Sequence, residues 1–212
     1  MTIRSRRVGA TYRDRAFFVR LLLLAGFFSA GVILGQVLSG KIPASTADEL
    51  KRYLKDYFKL SDRGDFTIKS FLSSLLLYFR YPLLAFLLGF ASVGVILLPM
   101  VSVAFGFFLS FSVCCFTAVF GGKGVLLALT VFGLRCLITL PCFFLIAVPS
   151  FQNSVTLSAS SFGRGKRVQR VRYDSGWWFR GAIAALILTA GALAETIITP
   201  QMLRMVLEKM IK

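Results

Sequence analysis

The forty residues from Tyr81 to Phe120 contain no Asp, Glu, Lys or Arg. As one helix this run would extend about 60 Å at about 1.5 Å per residue, twice a hydrocarbon core of about 30 Å. It therefore has to cross a membrane twice. Gly94 and Pro99 punctuate its middle, so the sequence predicts a tight reversal around 94–100, with Pro82 opening one span and Pro99 near the start of the next. No polar side chain is available to pair the turn's amides, which places the turn at headgroup level or beneath neighbouring helices.

The rest of the composition agrees with a membrane domain. Of 212 residues 57% are hydrophobic and 22 are Phe, too apolar for a soluble domain of this size. The net charge of +16 is concentrated in Lys and Arg between the apolar runs, where orientation in the membrane demands them, so it does not point to nucleic acid. The four cysteines, Cys114, Cys115, Cys136 and Cys142, all fall inside apolar runs and read as small apolar residues rather than a disulfide framework or a metal site. With no His, the chain lacks the commonest general base and metal ligand.

Taken in order, residues 1–16 form a basic tail with Arg4, Arg6, Arg7, Arg13 and Arg15 against Asp14, and 17–38 form an uncleaved first span with its amino end in the cytoplasm. Gly31, Gly35 and Ser39 recur every four residues and leave one helix face bare enough for another backbone to approach. Residues 40–80 are the longest aqueous segment. Within it Thr46 and Glu49 form a capping box ahead of an amphipathic helix carrying Leu50, Tyr53, Leu54, Tyr57 and Phe58 on one face, a surface for the outer membrane interface, the bundle or a partner. A further helix starts after Asp65 and leads into the second span, with Arg80 at the membrane boundary.

The second span is expected over 82–98 and the third over 100–120. In the third, Ser102, Gly106, Ser110, Cys114 and Ala118 recur every four residues with Phe at the intervening positions. Such a stripe favours helix contact over a pore lining, because it holds no charge and few groups able to replace hydration. Gly121-Gly122-Lys123-Gly124 turns into a fourth span at 125–148; it lacks the spacing of a phosphate-binding loop. Residues 151–176 form a connector with Arg164, Lys166, Arg167, Arg170 and Arg172, held in the cytoplasm and attractive to anionic lipid. Trp177 and Trp178 mark an interface before the fifth span at 177–198, and 200–212 form an outer tail.

The reading is thus all-α: a single membrane domain of five transmembrane helices with one extracytoplasmic amphipathic segment. The carboxyl terminus lies outside, and the outer segment 40–80 offsets its eight basic residues with five acidic ones. Arg135 and Glu195 are the ionisable groups placed below the surface, both toward the outer half of their spans, and are expected to form an ion pair between the fourth and fifth helices. No nucleophile–base pair, metal cluster, cofactor motif or close carboxylate pair is visible, so catalysis is not expected.

The order of these features resembles the stage II sporulation protein M family of endospore-forming bacteria. The likeness runs through the basic amino terminus, Gly31-Val32-Ile33-Leu34-Gly35, an outer segment of matching size, the 89–99 stretch before a Gly- and Phe-rich helix, the Gly-Gly-Lys-Gly turn with its following Leu-Pro, and the closing Ala194-Glu195-Thr196-Ile197-Ile198-Thr199-Pro200. Leu134-Arg135-Cys136 departs from the uncharged polar residues or Pro expected there. The resemblance implies a non-enzymatic scaffold that holds two cell-wall hydrolases, the stage II sporulation proteins D and P, at the septal membrane during engulfment. The partner surfaces are then expected on the outer amphipathic face and on the Ser102–Ala118 stripe, with membrane lipids and another copy of the chain as further contacts. The alternative is a permease subunit working with a separate ATPase, with Arg135 on a transport path.

Overall fold

The computed structural model describes residues 3–40, 68–122, 125, 128–161 and 175–211. The amphipathic face of Leu50, Tyr53, Leu54, Tyr57 and Phe58, and the basic run from Arg164 to Arg172, lie outside the described residues. Five long helices carry the fold: α1 (Ile3–Ser39), α2 (Ile68–Leu88), α3 (Gly94–Phe120), α4 (Leu134–Ser161) and α5 (Ser175–Ile211). Each contains a stretch long and apolar enough to cross a membrane, and no strand occurs among the described residues. The chain is a polytopic all-α membrane protein.

Several boundaries differ from the sequence-based expectation. The reversal inside the uncharged run occupies 89–93 rather than 94–100, and both prolines sit inside helices, Pro82 in α2 and Pro99 in α3. Short-range bonds close the turn: the Gly89, Phe90 and Ala91 amides donate to the carbonyls of Phe86, Leu87 and Leu88 at 3.1–3.2 Å, and Gly94 N donates to Ala91 O at 3.1 Å. The Leu88 carbonyl accepts a second bond, from Ser154 Oγ at 2.8 Å. Backbone groups in the turn are thereby paired by the turn itself and by α4, as a low-dielectric surrounding requires.

As a result the second apolar stretch is Phe71–Leu88, eleven residues upstream of the expected 82–98 at its start. The expected fourth span at 125–148 likewise shifts. A π-helical turn, Leu129–Gly133, leads into α4, which runs past Pro141 and Pro149 to Ser161, so eleven residues of the expected connector are helical. Ser154, and Ser150 one turn before it, are buried beside the α2–α3 turn.

The core gathers Leu24 of α1, Tyr78 and Ala85 of α2, Leu98 and Phe105 of α3, Cys142, Phe143 and Ile146 to Val148 of α4, and Ala184, Leu188 and Ala192 of α5. Phe105 is its centre, stacked on Tyr81 at 4.6 Å between ring centroids and edge-on to Phe28 and Phe143. Ring pairs of this kind add about 0.5–1.5 kcal/mol beyond area burial. A second aromatic group closes the bundle at the turn end, where Phe86 stacks on Trp177 at 4.2 Å and Phe90 meets the same indole edge-on.

Candidate functional site

The closest helix contact is the parallel pair α1–α3, and small residues make it possible. A Cβ on Gly31 would overlap the Val103 carbonyl, and one on Gly106 would overlap the Phe28 carbonyl. One on Gly35 would lie 2.7 Å from the Phe107 carbonyl. Ser102 is buried on the same seam and donates from Oγ to the Leu24 carbonyl at 2.9 Å. Ser110 is buried beside Gly35. The spacing extends beyond the contact. Cys114 is half-buried, Ala118 is exposed, and Ser39 turns its hydroxyl back onto its own helix, to the Gln36 carbonyl. Because α1 occupies the Ser102–Ser110 part of the stripe, that face is not free to receive a partner.

Arg135 and Glu195 meet across the antiparallel pair α4–α5. The guanidinium binds the carboxylate with two nitrogens, Nε to Oε2 at 3.2 Å and Nη2 to Oε1. Glu195 is 7% exposed. The Tyr78 ring, fully buried on α2, lies 5.6 Å from the guanidinium carbon, and its hydroxyl neighbours the carboxylate without a hydrogen bond of ordinary geometry. Gly191, one turn before Glu195, leaves room for Ile138 and for the Tyr78 ring. The π-turn at Leu129–Gly133 ends two residues before Arg135, and such widened turns shift the register of the side chains that follow. A bidentate pair in low dielectric fixes two helices in both distance and rotation, since breaking it strands a charge.

Sequence reasoning missed two polar arrangements. Arg20 of α1 donates to the Gln152 amide oxygen of α4 at 2.8 Å. Arg80, expected at the membrane boundary, lies in the middle of the Phe71–Leu88 stretch, exposed, with its guanidinium carbon 5.4 Å from the Tyr81 ring and 5.8 Å from the Phe108 ring. The leucines at 76, 83, 84 and 87 were the available signal, because they set Arg80 inside a lipid-facing stripe at helical spacing. Among the described residues no group of three His, Cys, Asp or Glu side chains is placed to hold a metal ion.

Five apolar helices, a glycine-mediated seam and an interior ion pair define a small polytopic membrane protein whose polar groups join helix to helix. The family model described as stage II sporulation protein M matches residues 23–200, and the chain belongs to that family; it is a sporulation-related membrane protein. No curated protein sequence and no solved structure matches the chain.

Proposed function

We propose that the chain is a non-enzymatic membrane scaffold that anchors cell-wall hydrolases, the stage II sporulation proteins D and P or their counterparts, at the septal membrane during forespore engulfment. The observation that carries this reading is the Arg135–Glu195 pair. Arg135 and Glu195, which meet between α4 and α5, are engaged with each other and backed by a buried aromatic ring, an arrangement that locks helices. A transport route needs charges facing water or a file of relay groups. Membership of a family that is not generally catalytic supports the same reading. In the proposed orientation the amino terminus and the basic 151–176 connector face the cytoplasm, and residues 40–67 face the wall, where the Leu50, Tyr53, Leu54, Tyr57 and Phe58 face meets the hydrolases.

Cross-linked recovery of the tagged full chain from solubilised sporulating membranes tests this. Membrane-anchored hydrolases are expected among the recovered proteins, and Tyr53→Glu with Tyr57→Glu is expected to deplete them. Recovery of a cytoplasmic ATPase without hydrolases would contradict the scaffold and establish the permease alternative.

A further inference from the structure

We infer that Arg80 and the apolar groove beside it form a docking site, inside the membrane, for a transmembrane helix of a partner protein that carries a carboxylate near its middle. The cation stands on the outer surface of the bundle. Leu76, Leu83, Leu84 and Leu87, at four residues before and three, four and seven after Arg80, are all exposed, so the guanidinium projects from the centre of a leucine face. It is eight residues from Leu88 and nine from Phe71, about 12 Å and 13 Å along the axis, and thus near mid-bilayer. Its contacts are the Tyr81 and Phe108 rings, and among the described residues it has no acidic partner, Glu195 being taken by Arg135. A lone cation is costly at that depth, and such residues are ordinarily paired.

The groove is built by α3 and α1 and reaches Arg80 through Phe108, whose ring the guanidinium overlies. From there Val95, Ile96, Met100 and Phe107 of α3 with Phe27 of α1 line about 560 Å³ running back toward the α2–α3 turn. A lipid fits this poorly. Its phosphate, entering from the turn end, would sit at Val95 and leave only acyl chain beside the guanidinium, while a lipid of the opposite leaflet would keep its phosphate about 13 Å away along the axis. A second copy of the chain fits poorly as well, since a twofold contact through this face would oppose Arg80 to Arg80 and bring no unpaired intramembrane acid. A helix with a central Asp or Glu satisfies both features at once, filling the groove with apolar side chains and giving the guanidinium its counter-ion.

Such a contact rests on the scaffold reading for its setting, and it adds a recognition element within the bilayer to the one proposed outside. The test uses the purified full chain in phosphatidylcholine vesicles with dye-labelled apolar Leu/Ala transmembrane peptides that differ only at their centre, Glu against Leu. Energy transfer is expected to report about tenfold tighter association of the Glu peptide, the factor that corresponds to one intramembrane polar contact. Arg80→Leu, a change on the lipid face that leaves the fold intact, is expected to abolish the preference, and Arg80→Glu to transfer it to a Lys-centred peptide. Equal binding of the two peptides, or a preference that survives Arg80→Leu, would overturn the inference. So would loss of the preference when phosphatidylglycerol is added, which would make the site a lipid site, or Arg80-dependent association of the chain with itself. Failure with the peptides leaves hydrolase recovery through the outer segment unaffected, so the two readings fail separately.

Discussion

Gly106 lies so close to the Phe28 carbonyl that α1 and α3 touch backbone to backbone, with Ser102 bonded to the Leu24 carbonyl one turn away. In lipid, where apolar side chains gain little by leaving one solvent for another like it, close packing and interhelical hydrogen bonds are what join helices. This seam is the clearest case in the molecule.

Any side chain at Gly31 or Gly106 has to push α1 away from α3. Gly106→Leu and Gly31→Leu are each expected to cost about 1–3 kcal/mol or more through overpacking, measured as a lower midpoint in detergent-denaturant unfolding. Gly26, where an added Cβ would meet no neighbouring helix or side chain within 4 Å, serves as the control: Gly26→Leu should leave the midpoint nearly unchanged.

Ser102→Ala removes the bond to Leu24, and Ser154→Ala removes the bond to Leu88 at the turn. Each should cost about 0.6 kcal/mol, the average for interhelical hydrogen bonds in membranes, rising toward about 1.7 kcal/mol. The Ser154 change is expected to act locally as well, raising amide exchange at 89–93, where Leu88 O loses one of its two donors.

The fold class was legible because long uncharged runs dictate membrane helices, and helices are what five such runs can form. Spacing also marked a face of α3 but not its extent. Ser102, Gly106 and Ser110 lie on the seam, whereas Ala118 is exposed, since a stripe says nothing about where two helices diverge. Pro99 misled the placement of the turn. Pro99 is the sixth residue of α3, past the free amides of its first turn, and membrane helices tolerate such an interior proline, so it marks no helix end and the turn falls five residues earlier. That shift carried the second apolar stretch upstream and set Arg80 in its middle rather than at its edge. The Leu50–Phe58 face lies outside the described residues, so its placement relative to the bundle stays with the proposal above.

Orientation is open to a direct check. In a background with the four native cysteines replaced by Ala, Leu50→Cys is expected to react with an impermeant maleimide added to intact cells, and Arg167→Cys only after permeabilisation. The reverse pattern would invert the proposed topology and move the outer face away from the wall.

The interior pair gives the most direct test of the central claim that the bundle is an anchor rather than a conduit. Arg135→Leu and Glu195→Leu alone each leave one charge stranded and should cost about 3–5 kcal/mol, while the double Leu variant should recover most of that loss. The measurement is retention of a fluorescent hydrolase at the septal membrane in cells carrying each variant. The scaffold account predicts retention lost with either single change and restored near the unaltered level with both; a double variant that folds and reaches the membrane yet fails to retain the hydrolase would contradict it.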